Sequence, residues 1–282
     1  MSYYLHDIPL IEAKERFFTA LNQYELKNAH SLETIRLDEY AVGRVLGEAI
    51  WAKLSSPHYH ASAMDGFVLR SEKTEGAMPT KPLKLRLGED AFYVDTGDPI
   101  PDWANCVVPI EQTEALNEDT SISKDKRSPY AIRIRAALPP WAHIRSMGED
   151  IIFSELVLPT GKQLTPVDLG AVAACGHSEL MVIRKPRVGI IPTGTELVEV
   201  GASVKKGDII EYNSIVLAAQ IKQWGGEAHR YPIVMDTLSS IMACVEEAAE
   251  ENDLILLNAG SSAGSEDFSS MVVEKLGELL VH

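Results

Sequence analysis

The 282-residue chain is 45% hydrophobic and 24% charged, an ordinary balance for a globular protein that excludes a wholly disordered or collagen-like chain. Its 26 basic and 41 acidic side chains leave a net charge of −15, which repels phosphate backbones and anionic bilayers and argues against nucleic-acid and membrane partners. The length suggests about two domains at roughly 150 residues each, or three small ones. No apolar run approaches the ~18 residues of a membrane span. The opening MSYYLHDIPLIEAKERFF has no basic segment followed by an apolar one, so no signal peptide is expected. Cys106, Cys175 and Cys244 are dispersed, without a C-x-x-C pair, and read as small buried apolar groups in a reducing compartment. The expected location is the cytoplasm.

In chain order, residues 9–29 predict a helix, with Pro9 in its first turn and Leu10, Ala13, Phe17, Leu21 and Tyr24 at helical spacing. Residues 38–50, DEYAVGRVLGEAI, predict a second helix capped by Asp38. From about residue 58 the segments shorten. GFVLR (66–70), LKLRL (83–87), CVVPIEQTEAL (106–116) and YAIRIRAAL (130–138) read as strands, and KDKRSP (124–129) as a hairpin loop. Thr165, Pro166 and Asp168 mark a helix start, and Gly176 its end. Trp51, Trp103, Trp141 and Trp224 are most simply core or interface residues.

Beyond residue 187 the order becomes β-α-β-α-β-α. RVGIIPT (187–193), EAHRYPIV (227–234) and DLILLNAG (253–260) are the strands; 214–226, 237–252 and 266–280 are the helices. This alternation predicts a parallel sheet with right-handed crossovers. Three strands and a last helix make a thin sheet, so a further strand is expected and the domain reads as incomplete. The edge beside residues 253–258 is expected to be exposed or covered by another chain. The domains are thus 1–57 with 139–183, an elongated α+β domain; 58–138, an inserted β-rich domain; and 184–282, an incomplete three-layer α/β domain.

Ligands of open parallel sheets lie at the carboxyl ends of the strands. Those ends carry Gly194 and Glu196, then Asp236, then NAGSSAGSED (258–267). In the last, Gly260, Ser261, Ser262 and Gly264 let backbone N–H groups approach an anion at a helix start. Glu196, Asp236 and Asp267 beside an anion cradle suit Mg²⁺, which takes one or two carboxylates plus phosphate oxygens. Asp267 alone also suits a helix N-terminus, and the loop matches no nucleotide-binding fingerprint. Asp65 in HASAMDGF, Thr96 and Gly97 in DTGDPIP, and Gly148, Glu149 and Asp150 in SMGEDI form further polar clusters that turn chemistry by itself also explains. His58 and His60 share a strand face, without an evident third metal ligand.

SAMDGF (62–67), DTGDPIP (95–101), MGEDI (147–151), PTGTEL (192–197), EYNS (211–214) and AGSSAGSEDF (259–268) occur in that order. Together they resemble the molybdopterin molybdenumtransferase family, the MoeA proteins, whose relatives include a domain of gephyrin. The resemblance runs from the first helix to residue 280. It implies insertion of molybdenum from molybdate into adenylylated molybdopterin, with release of AMP and a divalent cation such as Mg²⁺. It implies an elongated homodimer whose cleft takes its β-rich side from the partner subunit, with handover to a molybdopterin adenylyltransferase or to molybdoenzyme chaperones. It implies catalytic roles for Asp65, Glu196, Asp236 and Asp267, with Asp65, Glu196 and Asp267 on the cation. Thr96, Gly97, Asp150, Thr193, Gly194, Asn213, Gly260, Ser261, Ser262 and Gly264 fall on its binding positions.

Two motifs depart from the family. Thr195 stands where T-G-D-E-L has Asp, and NAGSSAG replaces a loop like S-G-G-V-S-V-G. The family continues with a lysine- and proline-rich segment, further strands and a small β-barrel, so this chain reads as cut short. Two alternatives stay open: a non-catalytic relative that dimerises and binds the nucleotide, and adenylyltransferase-like chemistry, against which residues 1–183 argue.

Overall fold

The apolar run at 188–191 forms the middle of a parallel sheet. In the computed structural model, which describes residues 8–23, 31–259 and 268–281, strand Arg187–Pro192 lies between strands Glu227–Arg230 and Leu254–Asn258. Val188 pairs with Ala228 on one side and Leu254 on the other. A central parallel strand is covered on both faces, which is why its residues are continuously apolar rather than alternating.

Five helices occur among the described residues: α1 Leu10–Gln23, α2 Pro166–Ala174, α3 Asn213–Gln223, α4 Leu238–Glu251 and α5 Ser269–Leu276. Val188 and Ile190 pack against Leu217, Ala218 and Ile221 of α3. On the opposite sheet face, Gly189 meets Asn252, the C-cap of α4; a Cβ there would lie 3.0 Å from Asn252 Nδ2. Helix, sheet and helix make the three layers, and the mixed α/β class is as expected. No helix among the described residues is long and apolar enough to cross a membrane.

Packing divides the chain into two units. The parallel sheet belongs to the unit formed by Met1–Ile35, Gly43–Gly47 and Met181–His282; the other comprises Arg36–Val42 and Glu48–Leu180. In the second unit, antiparallel strands Ala91–Val94, Gly66–Leu69 and Cys106–Pro109 form one sheet in that order. Leu83–Arg86, Ala131–Ile134 and Thr113–Leu116 form another. Phe67, Leu69, Cys106 and Val108 of the first share a core with Leu85, Ile132 and Ile134 of the second. On the first sheet's other face Val68, Val94 and Val107 pack with Ala104, Ile100 and Ile144. Gly66 is a close approach: a Cβ would stand 2.2 Å from the Val108 carbonyl oxygen.

α2 begins as expected, with a reciprocal capping box between Thr165 and Asp168 and Pro166 in its first turn. Residues 38–50 depart from the expected helix. Asp38 caps a single 3-10 turn, Glu39–Ala41, by accepting from Tyr40 N at 3.0 Å. Gly43 then adopts φ +80°, a left-handed conformation that ends helical propagation. Leu46, completely buried, forms an antiparallel bridge with Val182. The four tryptophans depart from a core role: each is between 37% and 75% exposed.

Candidate functional site

Three chain segments meet at the carboxyl edge of the parallel sheet. Thr193 N donates to the Asn258 carbonyl at 2.9 Å, and Thr193 forms a parallel bridge with Val234. Gly194 N donates to the Val234 carbonyl at 3.3 Å. Thr193, Gly194, Asn258 and the Val234–Asp236 turn are thereby gathered where an open parallel sheet binds its ligand. Thr193 is 2% exposed, and its Oγ1 has no hydrogen-bond partner among the described residues. An unpaired buried hydroxyl costs about 1–3 kcal/mol, a cost that a bound polar group removes.

Gly194 has φ +156°, and a Cβ there would lie 2.9 Å from Leu197 Cγ and 3.0 Å from Glu196 Oε2. Glycine is therefore required, and it lets the Glu196 carboxylate fold back against the turn. Glu196 is exposed and Asp236 half-buried. Asp236 precedes Thr237, whose hydroxyl caps α4 by accepting from Ser240 N. Asp267, Gly260, Ser261, Ser262 and Gly264 lie outside the described residues.

Asn213 is exposed at the first position of α3. The start of that helix is fixed by a buried acid, the first residue of the EYNS motif. Glu211, 4% exposed, accepts from Ser214 N at 2.8 Å and from Ser214 Oγ at 2.5 Å. Arg230 Nε donates to the same Ser214 hydroxyl at 2.9 Å, tying α3 to strand Glu227–Arg230.

The second unit holds the other polar set. Asp65 Oδ1 accepts from Thr96 N at 2.8 Å and Thr96 Oγ1 at 2.7 Å. These two bonds, backbone first, hold the Asp65 carboxyl below the usual carboxylate range, with help from the Arg127 charge. Gly97 N donates to the Ser62 carbonyl at 2.8 Å, and Tyr59 donates to the Gly97 carbonyl at 3.1 Å. SAMDGF and DTGDPIP are thus one assembly. Asp150 pairs with Arg145 at 2.9 Å, and the neighbouring Gly148 N donates to the Pro57 carbonyl. Strand Ile144–Arg145 pairs with Ala61–Ser62, which places the Asp150 partner on the same scaffold as the Asp65 loop. His60 Nδ1 accepts from Met147 N at 3.0 Å. No group of three or more His, Cys, Asp or Glu side chains among the described residues is placed to hold a metal ion.

A family model described as the MoeA N-terminal region (domain I and II) matches residues 8–176. The chain belongs to the MoeA family. A second model, a probable molybdopterin binding domain, matches residues 189–282 of this MoeA chain. It is 35% identical over 240 residues to molybdopterin molybdenumtransferase 2 of Mycobacterium tuberculosis, covering 80% of this chain and 56% of that protein. It is 29% identical to the molybdopterin molybdenumtransferase of Staphylococcus epidermidis, covering 92% of this chain and 61% of the relative. The chain thus spans little more than half the length of these curated relatives. A crystal structure of the molybdopterin biosynthesis MoeA protein from Pyrococcus horikoshii superposes with TM-score 0.79 at 25% identity, over 98% of this chain and 68% of the other.

Within the MoeA fold, three further residues surround the Asp65 assembly. Tyr93 donates to Asp95 Oδ1 at 2.8 Å, and Arg127 sits 3.5 Å from Asp95 and over the Tyr93 ring. Burial, then the Asp95 bond, pushes the Tyr93 hydroxyl up. Arg127 comes from the KDKRSP segment, whose composition signalled a loop and nothing of its charge pairing.

Proposed function

We propose that this chain acts in molybdenum cofactor assembly, inserting molybdenum from molybdate into adenylylated molybdopterin with release of AMP. The observation that carries this reading is the buried Thr193 hydroxyl at the carboxyl edge of the parallel sheet, which has no hydrogen-bond partner among the described residues. It lies within the segment matched by a probable molybdopterin binding domain. A pterin nucleotide offers many donors and acceptors, and one of them satisfies that hydroxyl.

The chemistry asks the protein for positioning and charge placement. Thr193, Gly194 and Asn213 are assigned to nucleotide binding, with Gly260, Ser261, Ser262 and Gly264 as the anion cradle. Thr96, Gly97 and Asp150 are assigned to substrate contacts as well. Asp65, Glu196, Asp236 and Asp267 are the acidic groups of the reaction. Mg²⁺ belongs to the proposal as the companion of the substrate phosphate. The described residues form no metal cage of three such ligands, so Asp65, Glu196 or Asp267 would join substrate oxygens in holding it, and no step is routed through it. The chain is proposed to work as a homodimer in the cytoplasm. Exposed Leu10, Ile11, Phe17 and Phe18 on α1 supply apolar surface of the kind a subunit interface covers.

The test supplies the purified chain with adenylylated molybdopterin, molybdate and Mg²⁺, and follows AMP release and cofactor formation together. Coupled turnover supports insertion. Nucleotide binding without turnover assigns the chain a binding role only, and failure to bind the nucleotide at all sinks the reading.

A further inference from the structure

A cleft of about 630 Å³ opens at the amino ends of the parallel strands, around Arg187 and Glu227, the first residues of their strands. Five cations line it, Arg44, Arg184, Lys185, Arg187 and Lys222, against two carboxylates, Glu33 and Glu227. The protein as a whole carries −15, so the sign of the charge is inverted here.

Two of the three guanidinium groups are held in place. Arg44, its side chain only 10% exposed, bonds Glu33 and donates to the Ile183 carbonyl at 2.9 Å. Arg184 Nη2 reaches both Asp253 oxygens, at 2.7 and 3.0 Å, while its Nε donates to Ser31 Oγ and its Nη1 to the Lys185 carbonyl. Arg187 stands 3.9 Å from Glu227. Lys185 and Lys222 make no ion pair among the described residues. A structural account covers part of this: Lys222, in the last turn of α3, complements the helix dipole, and Lys185 is solvated. It does not account for two anchored arginines and the exposed Arg187 lining the same space as two ammonium groups without an ion pair. Fixed guanidinium charge beside two ammonium groups, each with three rotatable donors, matches a doubly charged ion with several acceptor oxygens. The volume is that of a small-ligand site. The lining has no aromatic ring, and its uncharged members are only Gly226 and Ala228, so nothing there would stack a base or a pterin.

We propose that this cleft binds a small dianionic oxyanion of the phosphate or sulfate type. It lies at the opposite end of the strands from Thr193 and Asn258, so it stands whether or not the insertion reading does.

The test is thermal denaturation of the whole chain at pH 8 in increasing sodium phosphate, in sodium sulfate, and in sodium chloride of matched ionic strength. The expected result is a saturable rise in Tm with a dianion that chloride does not reproduce. The Lys185→Gln/Lys222→Gln variant should weaken the apparent affinity about tenfold or more while its Tm in buffer alone stays near the parent's. Response to phosphate alone identifies the ion as phosphate; response to both salts identifies any tetrahedral dianion. A rise equal to that in chloride, or one unchanged in the double variant, overturns the proposal. Should the double variant fail to fold, Lys222→Gln alone is read the same way.

Discussion

Asp65 Oδ1 takes two hydrogen bonds from Thr96, one from its amide and one from its hydroxyl, across 31 positions of sequence. The pair fixes one carboxylate oxygen. Thr96→Val keeps the side-chain shape and the amide donor but removes the hydroxyl. The Asp65 carboxyl, held low in the parent, should then titrate higher, as followed by carboxyl NMR shifts. A group with a lowered folded pKa stabilises the protein above the ordinary carboxylate value, and that stability fades as pH falls through the lowered one. The variant should therefore lose less stability over that acid interval than the parent. An unmoved titration would mean the hydroxyl bond contributes nothing.

Thr193→Val tests the orphan hydroxyl. Valine keeps the β-branched shape and discards the unpaired oxygen, so stability in urea should stay level or rise by up to about 1 kcal/mol. Binding of the pterin nucleotide should weaken in the same variant. A fall in stability beyond about 1 kcal/mol would show that the hydroxyl serves the fold instead.

Glu211→Ala removes the acceptor of both Ser214 bonds and leaves buried donors without a partner. The expected loss is about 2–4 kcal/mol in urea denaturation. Glu211→Gln retains a carbonyl acceptor and should lose clearly less. Equal stability for parent and alanine variant would refute the network.

The two sets of residues differed in how far sequence could reach. The strand ends at Thr193 and Asp236 were legible because a parallel sheet puts its ligand edge at a predictable place. The joining of SAMDGF to DTGDPIP was visible only as a shared family motif. No local pattern foretells that Asp65 and Thr96 touch, since the strand pairing of Gly66 with Val94 brings them together. Residues 38–50 misled for a related reason. Their apolar spacing is helical, but Gly43 at φ +80° and the long-range bridge from Leu46 to Val182 override it. Glu211 was part of the EYNS motif but carried no assigned role, because its burial against Ser214 follows from the fold and not from the motif.

Cysteine chemistry gives a further expectation. Cys106 and Cys175 are completely buried, and burial pushes the Cys106 thiol up to about 11. Neither should react with a water-soluble disulfide reagent at pH 8 until the chain is unfolded, because the thiolate is the reactive form. Rapid labelling of either in the folded protein, located by peptide mapping, would contradict this burial.

Asp65 and Gly66 are neighbours, yet a survival screen across them would mix two unlike signals. Replacing the glycine drives a side-chain carbon into the Val108 carbonyl, so those clones should vanish from the soluble fraction. Replacing the aspartate leaves that backbone contact intact, so its clones should persist as protein while failing in whatever the carboxylate does. Intolerance at 66 therefore reports abundance, intolerance at 65 with the protein still present reports the role proposed for the carboxylate, and only a count of protein alongside growth tells one from the other.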